Sequence, residues 1–276
     1  PIIVRGEDER LAAGVPCSDV VLHSVSSDNG RTWTAPTLVN LCGRPLYPMR
    51  HRNGILWYLS REQVADGGQF YVHSRSNAGW NAGSPVRNTN CGNFSVTTYA
   101  FDSAGHTYMA WCDYREGNPD IYFSSTTDGG RTWSPNVRVN DDQTGQEQLD
   151  PSIACSPSGT LCVLWSDNRN SHTLFDIYCS TSTDGGRTWS PNIKVNDDTT
   201  RTWQSTASLV YDRKNFAVAW MDYRETSPGG ESRSSIFASL PIRRRGLPEA
   251  TASTIWRAAS SGAVVLGGFP LAMTLS

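Results

Sequence analysis

Arginine and aspartate stand two residues apart, behind a tryptophan, at three places in this 276-residue chain. These are Trp111-Cys112-Asp113-Tyr114-Arg115, Trp165-Ser166-Asp167-Asn168-Arg169 and Trp220-Met221-Asp222-Tyr223-Arg224. Leu56-Trp57-Tyr58-Leu59-Ser60-Arg61 keeps the Trp and Arg at the same spacing, and Asp8-Glu9-Arg10 keeps the acid and the base. A guanidinium stays charged at any working pH and presents a planar fork of donors that fits a carboxylate with two hydrogen bonds. That chemistry has two outlets: the arginine grips its neighbouring aspartate and clamps the chain, or it reaches an anionic ligand. From Arg10 through Arg61, Arg115 and Arg169 to Arg224 the spacings are 51, 54, 54 and 55 residues, so the arginines mark a repeat. Both outlets stay open.

Other reactive residue types are less organised. Seven cysteines are an odd number, which leaves at least one thiol unpaired within the chain. Cys155 and Cys162 flank Ser158-Gly159 symmetrically, as facing positions of one hairpin would, and either a disulfide or two reduced buried thiols fits there. No Cys/His spacing suits zinc, so no metal and no cofactor is expected. With 24 Lys+Arg against 26 Asp+Glu the net charge is -2, which gives no basic field for nucleic acid or an anionic membrane. The apolar stretch Gly262 to Leu275 is too short for a spanning helix and contains Pro270, so no membrane insertion is expected. The chain begins at Pro1 without a signal peptide, as a processed leader or a missing upstream piece would explain.

The elements that position these residues follow from a second repeat. Ser26 to Trp33 (SSDNGRTW), Thr126 to Trp133 (TTDGGRTW) and Ser182 to Trp189 (STDGGRTW) share one eight-residue pattern, and Ser74 to Trp80 is a worn copy. Eight of the ten tryptophans fall into the two series, so their placement follows the repeat. The Asp of each box can accept backbone N–H groups further along the turn. Its Gly residues permit positive φ, and its Trp is expected to pack the turn onto its own sheet. With 24 Gly, 15 Pro and turn signals at short intervals, the chain reads as many short strands. The best unit predicts strands at Pro151–Cys155, Thr160–Trp165, Asp176–Ser180 and Ile193–Asn196. One small twisted sheet cannot bury both faces, whereas copies packed radially around an axis can, which predicts an all-β propeller of four-stranded antiparallel blades.

Boxes at this spacing resemble those of the sialidase (neuraminidase) superfamily and the wider set of BNR-repeat propellers, over roughly residues 1–240. The resemblance implies a six-bladed propeller, of which about five units are visible, with a substrate cleft at the axis on the face opposite the boxes. Residues 241–276, where the pattern stops, read as a divergent end or a segment outside the fold.

By the same resemblance the chain is an exo-sialidase-type glycoside hydrolase acting on terminal sialic acids of glycans, in partial form. Three arginines would hold the substrate carboxylate. Arg10 fits an arginine that faces the cleft, Arg169 fits the second of the three, and Arg233, in Arg233-Ser234-Ser235-Ile236, fits the third. The strand carrying the first is absent. Asp19 fits the acid/base, and Asp150 stands at the head of the fourth unit where the family places a Glu, with Glu147 just before it. No tyrosine follows Tyr223, so the family's Tyr nucleophile is missing. The alternative is a non-catalytic propeller that binds glycans or proteins. The resemblance also implies a secreted, cell-surface or periplasmic location; nothing in the sequence sets the oligomeric state.

Overall fold

The computed structural model describes residues 2–5, 11–17, 20–40, 44–50, 56–64, 67–76, 79–80, 84–86, 97–171, 173–197, 202–212, 215–226, 232–239 and 254–256. Its regular elements are all strands, in five antiparallel sheets that follow one another along the chain. The first sheet holds β1 (Ile2–Arg5), β2 (Leu11–Cys17), β3 (Val20–Ser26) and β4 (Thr37–Asn40). The second holds β5 (Arg44–Arg50), β6 (Leu56–Val64) and β7 (Gly67–Ser76), with the short β8 (Gly79–Trp80) and β9 (Ser84–Pro85) both paired to β7. The third holds β10 (Thr97–Phe101), β11 (Thr107–Asp113), β12 (Asp120–Thr126) and β13 (Val137–Arg138). The fourth holds β14 (Gln148–Cys155), β15 (Leu161–Asp167), β16 (Asp176–Ser182) and β17 (Ile193–Lys194). The fifth holds β18 (Gln204–Tyr211), β19 (Phe216–Thr226), β20 (Ser232–Ser239) and β21 (Thr254–Trp256). Trp256 pairs with Ile236, so Thr254–Trp256, within the segment 241–276, supplies an outer strand.

The core lies between sheets. Successive residues of a strand point to opposite faces, so β11 sends Met109 and Trp111 toward Leu59, Phe70 and Val72 of the second sheet. It sends Tyr108 and Ala110 toward Ile153, Val163 and Trp165 of the fourth. On its far face the fourth sheet packs Cys162, Leu164 and Ile177 against Leu209, Val218 and Trp220 of the fifth. Every residue of β11 and of β15 is buried, as a strand covered on both faces requires. The first strands of successive sheets also join directly. Ile153 N–H donates to Thr98 Oγ1 at 3.4 Å and Leu209 N–H to Ser152 Oγ at 3.1 Å, through hydroxyls at corresponding places.

Register places the motifs. In the fourth sheet Leu161 pairs with Ser182, the first residue of a box, while Asp167 pairs with both Gln148 and Asp176 at the other end. The third sheet repeats this with Thr107↔Thr126 and Asp113↔Asp120, and the first with Leu11↔Ser26. Boxes therefore occupy one end of these sheets and the Asp–Arg marks of the third and fourth sheets the other.

Four local expectations change. Trp111, Trp165 and Trp220 pair with Tyr122, Tyr178 and Phe237, but Trp57 pairs with Ser74 of the worn box and Arg61 with Phe70. The second unit's Trp–Arg spacing is thus out of register with the other three; it lacks the Asp that accepts the indole N–H elsewhere. Cys155 pairs with Leu161 and Cys162 with Ala154, so the two cysteines sit on opposite faces of the sheet rather than opposite each other. Both are free thiols, packed into different inter-sheet clusters. The box tryptophans pack beyond their own sheet: Trp189 meets Phe123 of the third sheet edge-on at 5.2 Å, and Trp133 joins the cluster shared with the second. Finally, Asp8-Glu9-Arg10 lies outside the described residues, but its flanking strands meet through Arg5↔Leu11 at the box end of the first sheet. In the third and fourth sheets the marks lie at the opposite end.

Candidate functional site

The Asp–Arg marks resolve into clamps. Asp113 is fully buried and accepts from Trp111 Nε1 at 2.7 Å, while Arg115 reaches it at 2.6 Å. Asp167 repeats this with Trp165 Nε1 at 2.7 Å and Arg169 at 2.7 Å. Asp222 accepts from Trp220 Nε1 at 3.3 Å. Arg169 goes further. It donates to Asp141 at 2.8 Å and to Asn192 at 2.9 Å, and its guanidinium carbon lies 4.4 Å over the Tyr178 ring. Asp141 and Asn192 flank β13 and β17, the outermost strands. The guanidinium assigned by resemblance to a substrate carboxylate is thus turned outward and met by two protein carboxylates. These hold its pKa well above the ordinary value, against the opposing effect of burial.

A second tie, absent from the sequence analysis, closes the third unit onto the fourth and the fourth onto the fifth. Asn140 accepts Ile121 N–H at 2.8 Å and donates to Asp120 at 2.8 Å and to Gln148 of the next sheet at 3.0 Å. Asn196 does the same with Ile177, Asp176 and Gln204. The copies Arg138-Val139-Asn140-Asp141-Asp142 and Lys194-Val195-Asn196-Asp197-Asp198 carry the signal in sequence.

Asp150 stands apart from these satisfied pairs. It lies on β14, the innermost strand of its sheet, at the irregularity between Leu149 and Ser152, with φ of +51°. A non-glycine residue in that region is strained, and Asp tolerates it better than most. Thr206 has the same φ at the corresponding break in β18, so the kink belongs to the repeat and the carboxylate to the fourth sheet. Asp150 is partly buried and, among the described residues, has no hydrogen-bond or ion-pair partner. Burial raises its pKa above the ordinary aspartate value.

Its surroundings come from the neighbouring sheet. Cys112, at the end of β11, points its thiol at Gln148 O at 3.5 Å and has its pKa pushed up to about 12 by burial and by the charge of Asp150. The Tyr114 hydroxyl is also pushed up to about 12, by burial, by Cys112 and by the charges of Glu147 and Asp150. Glu147 is exposed, three residues before Asp150. The cluster sits at the end of the sheets away from the boxes, where a half-buried carboxyl with a raised pKa is suited to exchange a proton with a bound ligand.

The other expected residues are only partly placed. Asp19 and Arg10 lie outside the described residues. Asp19 falls between Cys17 and Val20, which pair at the end of the first sheet away from its box. Arg233 pairs with Glu225, beyond Asp222 on β19, so its backbone is at the mark end of the fifth sheet. The structure separates Arg169, on the outer flank, from Asp150, on the innermost strand.

No family model matches the sequence, and no curated protein does. Solved structures match it as a fold. A mutant alpha-L-arabinofuranosidase of Fusarium graminearum in complex with an iminosugar inhibitor superposes with a TM-score of 0.56 at 16% identity, over 95% of this chain and 81% of that one. The alpha-L-arabinanase of Penicillium chrysogenum with arabinobiose gives 0.54 at 16% identity, over 86% and 76%. The fold is a β-propeller. A Hadza microbial sialidase gives 0.48 at 19% identity, over 79% of this chain and 48% of that one. The five sheets are blades, their first strands line the axis, and Asp150 belongs to the axial end of the fourth blade.

Proposed function

We propose that this propeller binds a carbohydrate on the face away from its Asp boxes and hydrolyses a glycosidic bond there, with Asp150 as the acid. The observation that carries the reading is Asp150 itself: a strained, half-buried carboxyl on a first strand, with no hydrogen-bond or ion-pair partner among the described residues. A carboxyl whose pKa is raised by burial is better suited to protonate the leaving oxygen of a glycoside than an ordinary aspartate, and Glu147 supplies the second carboxylate that such chemistry uses. The arabinanase and arabinofuranosidase neighbours are carbohydrate enzymes by name, which supports the substrate class.

The finer reading, an exo-sialidase gripping a sugar carboxylate, rests on Arg10 and Arg233, whose side chains lie outside the described residues, and on Arg169, whose charge is already met by Asp167 and Asp141. The carboxyl groups of Asp150 and Glu147, which have no ion-pair partner among the described residues, favour an uncharged sugar instead. The test is turnover of arabinan oligosaccharides and of a fluorogenic sialoside by the chain and by Asp150→Asn. Hydrolysis of the neutral substrate, lost in Asp150→Asn with the fold intact, is the expected result. Binding without turnover would return the chain to the non-catalytic reading. Sialoside turnover that survives Asp150→Asn and fails in Arg233→Ala would move the chemistry to the arginines.

A further inference from the structure

Eight of the ten tryptophans belong to the boxes and the Trp–Arg marks, which leaves Trp203 and Trp256 without a place in the repeat. Trp203 is also among the most exposed large apolar side chains described, at 45%. Its position is defined by hydrogen bonds that recur from blade to blade. Gln204 N–H donates to Phe175 O at 2.9 Å, just as Gln148 N–H donates to Pro119 O at 2.9 Å one blade earlier. Trp203 therefore occupies in the fifth blade the place that Glu147 holds in the fourth, at the head of an axis-lining strand and at the end away from the boxes.

The ring is exposed but backed. Phe175, itself buried, lies under it with ring centroids 5.5 Å apart and planes 37° apart. The Trp203 carbonyl is held by Tyr223 N–H at 3.1 Å. An indole fixed on one side and open on the other, with carboxyl groups at the same end of the preceding blade, matches the two halves of a sugar: an apolar C–H face and a ring of hydroxyls. An apolar protein partner would gain nothing from Glu147 and Asp150, at the corresponding end of the preceding blade, whereas hydroxyl groups find acceptors there.

We propose that Trp203 is a stacking platform for a neutral sugar ring, and that it lies one blade round the axis from the ring held at Asp150, so that the ligand is an oligosaccharide of at least two units. The proposal rests on the carbohydrate reading above and adds a specificity-determining residue to it. Trp203 contacts the ligand without touching the reacting bond, so its loss acts on binding more than on the chemical step.

Calorimetric titration with arabinobiose and with 3′-sialyllactose, alongside indole fluorescence, tests it on the chain, Trp203→Ala and Trp203→Phe, each first checked by thermal melting. Wild-type chain should bind the neutral disaccharide with a change in indole emission. Trp203→Ala should weaken binding about tenfold, the scale of one aromatic contact, and Trp203→Phe should restore most of it. Wild-type affinity retained by a folded Trp203→Ala overturns the platform and leaves the carbohydrate reading standing. Absence of binding of either sugar to the wild-type chain overturns both.

Discussion

At the residue scale, the same acid side chain does opposite things according to what surrounds it. Asp28 accepts from Thr32 N at 2.8 Å, from Thr32 Oγ1 at 2.6 Å and from Ser26 Oγ at 2.8 Å, and these donors pull its pKa down to about 2. Thr188 and Ser182 hold Asp184 lower still. A folded-state pKa below the unfolded value near 4 adds stability that is present above pH 4 and is lost as pH falls through the folded values. Acid melts should therefore show the chain losing stability between about pH 4 and 2, and Asp184→Asn should flatten that slope. Asp150 has the reverse sign. Its raised pKa makes the ionised form a burden in the folded state, so its contribution worsens as pH rises through that value. Asp150→Asn, with a side chain that suits positive φ, should raise the melting temperature at pH 7 by about 1–3 °C and by less at pH 3, while abolishing turnover. A variant that loses stability at pH 7 would show that the carboxylate has a structural partner.

At the element scale, the boxes and clamps turn out to be joints. The box of the fourth blade touches the third: a Cβ on Gly186 would lie 2.0 Å from Phe123, and Gly186 has φ of +86°. Gly186→Ala should cost about 2–4 kcal/mol from the sum of backbone strain and overpacking, read from denaturant melts. Asp128→Ala, which removes only an exposed turn's acceptors, should cost about 1 kcal/mol and leave sugar affinity unchanged. The Asp167–Arg169 clamp decides between the two outlets that the sequence leaves open for its arginine. If Arg169 is a clamp, Arg169→Ala strands a buried carboxylate whose remaining partners are Trp165 Nε1 and a backbone N–H, and stability falls by about 2–4 kcal/mol. A folded, fully stable Arg169→Ala with lost anion binding would restore the substrate role.

At the scale of the molecule, each blade is stable only through its neighbours. Phe123 illustrates the coupling, since it packs with Tyr108 in its own blade and with Trp189 from the next. Phe123→Ala should cost about 3–5 kcal/mol, and amide exchange should rise in both the third and fourth blades rather than in one. Protection lost from the third blade alone would mean that the blades fold independently. In the first blade Leu22 and Leu38, paired across β3 and β4, and Trp33 of the first box are exposed.

The repeat, the strand count per unit, the turn positions and the opposite placement of boxes and Asp–Arg marks in the third and fourth blades were legible in the sequence. They depend on contacts a few residues apart, and the same local chemistry recurs three times nearly unchanged. Even the fourth unit's strands lie within about two residues of their expected ends at most boundaries. The errors share one cause. Register cannot be read from spacing: Trp57 and Arg61 keep the mark's interval, yet Arg61 rather than Trp57 takes the place that Trp111 holds, and Cys155 and Cys162 straddle a turn symmetrically while facing opposite ways. Which arginine is spent on an internal carboxylate was equally hidden, because Asp141 is 28 residues from Arg169 and reaches it only across a blade joint. Asp150 is the converse case. Its residue type and place were visible in the chain, but its strain, its burial and its want of a partner among the described residues arise from the kinked inner strand and the blade beside it, and those are properties of the packed structure alone.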